Sequence, residues 1–206
     1  MSGLLSAGGI YDDSPTLKFL TKQFKNYTHM QREVSIGLTD IDSGDYKEFT
    51  EDTLSNNDDL LQVLYASFAY AGFFPPVEAF GSKWFDGSAV YDLDIFSPIK
   101  KCYDAGFKEE DLVIDTVFTS SANLRQVNGS DYTSLAMLGR FLEIASFYSS
   151  ADGLLRAKFA FPAATFRYSV SPSTSLPWTV YPLVNLYSNK ILELERDLNP
   201  VYDHSR

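Results

Sequence analysis

The sequence contains little of the chemistry that many hydrolases and metalloenzymes use. Its 206 residues include one cysteine, Cys102, and two histidines, His29 and His204. A single cysteine excludes an intrachain disulfide framework, and two distant histidines without an H-E-x-x-H pattern give no metal-ligand spacing. A Ser-His-Asp triad therefore has little support, and neither a metal ion nor another cofactor is expected.

Several binding motifs and targeting signals are also missing. No basic run occurs in a chain whose formal net charge is −10, so a nucleic-acid partner is not expected. The phosphate-binding patterns G-x-G-x-x-G and G-x-x-x-x-G-K-[ST] do not occur. No apolar run approaches the ~20 residues of a transmembrane segment, and the N-terminus has no secretory signal pattern. We expect a cytoplasmic protein, with peripheral contact at membranes as the alternative.

Apolar residues are plentiful enough for a folded domain. Hydrophobic residues make up 45% of the chain, and the aromatic residues include 16 Phe and 13 Tyr. This many aromatic side chains indicates either a bulky core or a surface that handles apolar ligands, and the core is the more usual outcome. The length and composition predict a single domain spanning residues 1–206.

Helical and extended patterns alternate along the chain. Val34, Ile36 and Leu38 alternate with other residues before a Ser43-Gly44 turn, which predicts a β-hairpin. A continuous β-branched run, "LVIDTVF" (112–118), is typical of a strand buried on both faces. Alternation of such strands with helices predicts a layered α/β domain. Apolar spacing with N-terminal and C-terminal stop signals predicts five helices, at about 14–27, 57–71, 98–105, 131–148 and 185–198.

The stretch "KWFDGSAVYD" (83–92) has two interpretations. Asp-Gly is a strong turn signal, so Asp86 and Gly87 predict a strand that ends in a tight turn. The other interpretation is that Asp86 is a catalytic carboxylate. Local sequence alone favours the turn.

Three segments, in order, resemble the patatin-like phospholipase domain. They are "GGIYDDSPTLKFLTKQF" (8–24), "ASFAYAGFFPPVE" (66–78) and "WFDGSAVYDLDI" (84–95), and "SIGLTDIDSGDYKEF" (35–49) fits the hairpin between the first two. The resemblance implies a three-layer α/β/α fold and ester hydrolysis of lipids at a membrane surface by a Ser-Asp dyad without histidine. It implies that Asp86 is the catalytic base and that Gly87 and Ser88 complete its motif.

The chain also departs from that family pattern. No serine in the sequence has glycine both two residues before and two residues after it, so the G-x-S-x-G nucleophile motif is absent, as is the Gly-rich oxyanion loop. The chain resembles the C-terminal two-thirds of the domain with a C-terminal extension, and no nucleophile is assigned. Three alternatives stay open: part of a lipid acyl hydrolase, a non-catalytic remnant that binds lipid or protein, and an unrelated function on a shared fold.

Loss of a central strand of the domain would leave a sheet edge without a partner. The candidates for that edge are "LVIDTVF" (112–118) and "VSIGL" (34–38). An unpaired apolar edge is a template for pairing with another chain. We therefore expect self-association through an exposed sheet edge.

Overall fold

The structure, a computed structural model, describes residues 8–9, 11–24, 26, 32–54, 56–119, 124, 126 and 133–172. Its helices and sheets give an α/β fold, as predicted. The chain divides into two compact units, Met1–Pro98 and Ile99–Arg206. Compactness does not test independent folding, so a single domain over 1–206 stays a prediction.

The first unit contains a four-stranded antiparallel sheet. Its strand order is β2-β1-β4-β3, so β1 and β4 are the two inner strands. Short connections join β1 to β2 and β3 to β4, and such connections allow only antiparallel pairing of the strands they join. The elements of this unit are α1 (Ser14–Phe24), β1 (Ser35–Asp40), β2 (Tyr46–Thr50), α2 (Asn57–Ser67), β3 (Val77–Ala79) and β4 (Ser82–Asp86).

The predicted hairpin is confirmed as β1 and β2. The two strands pair in register from Ser35 opposite Thr50 to Thr39 opposite Tyr46. Gly44 adopts a positive φ of 78° in the connecting turn, a conformation that side chains disfavour. The turn chemistry therefore fixes the register, which determines which side chains of β1 and β2 share a face.

Helix α2 packs on the sheet and contributes to its core. The helix begins after Asn56, which caps it: the Asn56 side chain accepts a hydrogen bond from the Asp59 N–H. The core joins residues of α2, the segment after it and all four strands, namely Leu38, Phe49, Val63, Ala66, Ala69, Val77, Ala79 and Trp84.

The predicted end of α2, near Gly72, is wrong. The helix ends at Ser67, and the next residue, Phe68, is 55% exposed. The N–H groups of Phe68 and Ala69 donate to the carbonyls of Tyr65 and Ala66, three residues back, so the last turn tightens and the regular helical ladder stops. The carbonyl of Ala69 accepts the backbone N–H of Asp86 at the end of β4.

The second unit contains a two-stranded parallel sheet. Its elements are α3 (Phe96–Asp104), in which the boundary between the units falls, β5 (Val113–Val117), α4 (Ser134–Ala160) and β6 (Thr165–Val170). β5 and β6 pair with a register irregularity between Ile114 and Asp115. Val113 and Val117 are 55% and 70% exposed, so the expectation that β5 is buried on both faces is wrong. Among the described residues β5 pairs with one strand, β6, and a strand that lies beside β5 does not bury its two faces.

The sheet edges bear on the predicted self-association. Strand β1 pairs with β2 along Ser35–Thr39 but with β4 only along Leu38–Asp40, so within the segment 34–38 only Leu38 has a described partner strand on both sides. β5 keeps one side without a partner strand in the part of the chain that the structure describes, and self-association through it stays a prediction. The helix expected at 185–198 lies outside the described residues. None of the helices that the structure describes has both the length and the apolar content needed to cross a bilayer.

Candidate active site around Asp86

Asp86 is the last residue of β4, and three backbone interactions fix its position. It lies opposite Leu38 of β1 in the sheet. Its N–H donates to the Ala69 carbonyl at 3.2 Å, and its carbonyl accepts the Thr39 hydroxyl at 3.2 Å. Thr39 is buried, with 3% of its surface exposed. The Asp86 backbone is therefore held by β1 and by the segment that follows α2.

Gly87 is required by the close approach of two backbones. A Cβ atom placed on Gly87 would lie 2.5 Å from the carbonyl oxygen of Gly37. Real Cβ atoms do not come so close to a backbone oxygen, so only glycine fits here without movement of β1 or of the turn. The Asp-Gly pair thus has a steric explanation in addition to its turn propensity.

The Asp86 carboxylate is partly buried and is bonded to the turn that follows it. Its Oδ1 accepts the backbone N–H of Ser88 at 2.9 Å, which caps the short 3-10 turn Gly87–Ala89. Burial raises the pKa of the Asp86 carboxyl above its ordinary value of 3.8, and the negative charge of Asp92 adds to the rise, while hydrogen bonds from the Ser88 amide and hydroxyl oppose it. A raised carboxyl pKa is one property of a general base that works near neutral pH.

Asp86 lines a cavity of about 290 Å³. The turn interpretation of the Asp-Gly pair is confirmed, since β4 ends at Asp86 and a turn begins at Gly87, while the catalytic interpretation stays a prediction. Gly87 and Ser88 also line the cavity. The other lining residues come from β1, β2, the segment that leads into α3 and α3 itself, and they are Ser35, Gly37, Tyr46, Tyr91, Asp92, Asp94 and Pro98.

Tyr46 and Asp94 form a fixed wall of the cavity that the sequence patterns did not reveal. The Tyr46 hydroxyl donates to Asp94 Oδ2 at 2.9 Å, and Asp94 Oδ1 accepts the Ser97 backbone N–H at 3.0 Å. Burial, and then the hydrogen bond to Asp94, raise the pKa of Tyr46, so its hydroxyl keeps the proton that it donates. Asp94 is an acidic residue at the start of α3, which is a helix-capping signal. No local sequence pattern indicates that Tyr46 lines the cavity.

We expect Asp86→Asn to stabilise the fold at neutral pH. The pKa of Asp86 in the folded state lies above 3.8, so the folded protein binds this proton more tightly than the unfolded chain does. The wild-type protein therefore loses stability as pH rises from about 4 through the folded pKa, whereas the neutral Asn loses none at this position. Urea unfolding at about pH 4 and pH 7.5 should show a stability gain for Asp86→Asn that is larger at the higher pH. A gain that is the same at both pH values would contradict the prediction.

The geometry is that of a polar cavity with one partly desolvated carboxylate. In the part of the chain that the structure describes, no three His, Cys, Asp or Glu side chains are grouped so that they could hold a metal ion. Three aspartates and two tyrosines are among the residues that line the cavity.

Comparison with models of protein families gives a match. The family model described as patatin-like phospholipase matches residues 1–99, a range that contains Asp86 and every residue lining the cavity. A comparison with curated proteins found no match. The resemblance to patatin-like phospholipases is thereby confirmed over residues 1–99, and with it the resemblance to lipid acyl hydrolases.

Proposed function

From the match of residues 1–99 to the patatin-like phospholipase family, we propose that this chain carries the general base of a lipid acyl hydrolase. Asp86 accepts the proton of a serine hydroxyl while the serine oxygen attacks the acyl carbon of a lipid ester. The ester C–O bond then breaks, the alcohol leaves with a proton, and water releases the fatty acid from the serine. The substrate is a lipid, presented at a membrane surface.

The single observation that carries the proposal is the placement of Asp86 in the cavity wall. Its backbone is fixed by Leu38, Thr39 and Ala69, so the carboxylate is held by the sheet. A base must be positioned before its pKa matters. Partial burial then raises the carboxyl pKa toward the range in which a base can both accept and return a proton.

Ser88 is a poor candidate for the missing nucleophile. Its amide N–H already donates to Asp86 Oδ1 at 2.9 Å, and its hydroxyl also bonds to this carboxyl group. A nucleophilic serine needs more than a base, because backbone N–H groups must also be aimed at the oxyanion that forms. The 206 residues contain neither the Gly-rich loop that would supply those donors nor a G-x-S-x-G motif. We therefore assign Asp86, Gly87 and Ser88 to the base segment and leave the nucleophile unassigned.

A second candidate function follows from the same contacts. The hydrogen bonds from Ser88 occupy the Asp86 carboxylate within its own turn. This arrangement, in a sequence without a G-x-S-x-G motif, suits a non-catalytic protein that binds lipid or a protein partner. Acylation of a serine of the protein by the substrate would indicate hydrolysis, and its absence would indicate that the protein only binds.

The 206-residue chain by itself should not hydrolyse esters. Without the elbow serine the covalent route is closed, and loss of even one oxyanion donor typically lowers the rate by about a hundredfold or more. The purified chain can be assayed with a short-chain chromogenic ester and with phospholipid vesicles, and a fluorophosphonate probe will report any activated serine. Turnover that disappears with probe labelling would overturn this prediction. A matched Ser88→Ala variant would then show whether Ser88 is the labelled residue.

A further inference from the structure

The cavity beside Asp86 is acidic on every side that carries a charge. Three aspartates line it, Asp86, Asp92 and Asp94, and none of its ten lining residues is basic. Walls of one charge sign concentrate ligands of the opposite sign. The charge of this cavity therefore favours a cationic ligand.

Two tyrosines give the cavity an aromatic corner. The rings of Tyr46 and Tyr91 lie perpendicular to each other, with centroids 4.9 Å apart and an interplanar angle of 89°. Aromatic rings attract cations through their negative faces, and pairs or cages of rings recognise quaternary ammonium groups. Tyr46 and Tyr91 line the same cavity as the three aspartates. The aromatic rings and the negative charges therefore attract a cation to the same cavity.

The corner is held in place before any ligand arrives. The Tyr46 hydroxyl is tied to Asp94 at 2.9 Å. A Cβ atom on Gly37 would lie within van der Waals overlap of that hydroxyl, so the glycine of β1 provides the room in which the Tyr46 ring lies. Preorganised groups bind more tightly because little conformational entropy is lost on binding.

We propose that this cavity binds the cationic headgroup of a zwitterionic lipid, with the Tyr46–Tyr91 corner and the carboxylates of Asp92 and Asp94 facing a quaternary ammonium group. This inference rests on the proposed function, since it names the substrate class of the same site. Lipids with anionic headgroups are disfavoured because the three carboxylates repel them. A bound cation also stabilises the ionised form of Asp86, the form that accepts a proton.

Soluble headgroup analogues test the binding without a membrane and without a nucleophile. The probes are choline chloride, glycerophosphocholine and the anionic glycerophosphoglycerol, each compared with sodium chloride at equal ionic strength. The backbone amides of Gly37 and Gly87, which line the cavity, report occupancy by NMR. We expect shifts with choline and with glycerophosphocholine and none with glycerophosphoglycerol. Shifts with choline but not with glycerophosphocholine would overturn the assignment to a lipid headgroup, and shifts with neither would overturn cation binding.

Substitutions of Tyr91 separate the aromatic contribution from folding. Tyr91 is 54% exposed, so its replacement should leave the fold intact. Tyr91→Ala should weaken glycerophosphocholine binding by about fivefold or more, whereas Tyr91→Phe keeps the ring and should retain most of the affinity. The control is Tyr148→Ala, which removes an exposed tyrosine outside the cavity. Unchanged affinity in Tyr91→Ala would contradict the aromatic corner as the binding element.

Failure of this inference differs from failure of the proposed function. If glycerophosphocholine binds but hydrolysis does not depend on Asp86, only the proposed function is contradicted. If hydrolysis depends on Asp86 but no headgroup analogue binds, only the headgroup inference is contradicted. The binding experiment needs only the 206-residue chain, so the absence of a nucleophile does not affect its result.

Discussion

Asp86→Asn lowers lipid ester hydrolysis by about a hundredfold to ten-thousandfold in a form of the protein that also contains a G-x-S-x-G segment. Asn occupies the same volume and can still accept the Ser88 N–H, which Asp86 accepts at 2.9 Å, so the turn should be preserved. Asn cannot take the serine proton, so the loss should fall on kcat rather than on KM. Initial rates with a neutral short-chain ester measure it, since such a substrate has no headgroup to bind.

The matched control for Asp86→Asn is Asp52→Asn. Asp52 is an exposed aspartate in the turn after β2 and does not line the cavity. We expect its activity to stay within about twofold of wild type, because exposed substitutions away from the site rarely change function or stability much. If both variants lost activity equally, or if Asp86→Asn kept wild-type kcat, Asp86 would not be the base.

The strand end and turn at Asp86 were predictable because their sequence signal is local. The Asp-Gly pair follows an extended run, and the structure ends β4 at Asp86 and begins the turn at Gly87. The hairpin of β1 and β2 was predictable for the same reason, since alternating apolar residues and a Ser-Gly turn lie within a short stretch. The catalytic role of Asp86 came from the family resemblance and stays a prediction.

The opposite wall of the cavity was not predictable from local patterns. Tyr46 faces the cavity only because β2 pairs with β1, and β1 pairs with β4, which brings residues 46 and 86 together. The reason for Gly37 is likewise non-local, because its side-chain position is occupied by the hydroxyl of Tyr46. Contacts between distant strands leave no periodicity that a single sequence can show.

Apolar spacing predicted the helices but not which of their side chains are buried. Phe68, just after α2, and Leu138 of α4 are apolar, yet they are 55% and 54% exposed. At Phe68 the last turn tightens to three-residue hydrogen bonds and the helix ends earlier than its apolar spacing suggests. α4 is apolar around much of its circumference, so spacing alone could not identify its buried face.

Trp84→Ala should cost about 3–5 kcal/mol of unfolding free energy, the usual loss for truncation of a buried tryptophan. Trp84 is 3% exposed and packs edge-on against Phe49, with ring centroids 5.4 Å apart. Its indole N–H donates to the Ala79 carbonyl at 2.8 Å, which ties β4 to the end of β3. A typical margin of stability is ~5–15 kcal/mol, so this one change removes a large share of it. Urea unfolding followed by circular dichroism measures the loss.

Two further variants show which part of the tryptophan matters. Trp84→Phe keeps most of the apolar contact with Phe49 but leaves the buried Ala79 carbonyl without its donor, so we expect a smaller loss of about 1–3 kcal/mol. Phe68→Ala removes an aromatic ring that is 55% exposed and should cost less than about 1 kcal/mol. A loss for Trp84→Ala as small as that for Phe68→Ala would mean that the core around β4 is not packed as described. Because Trp84 lies two residues before Asp86 on β4, the same result would also remove the support for a rigidly held base.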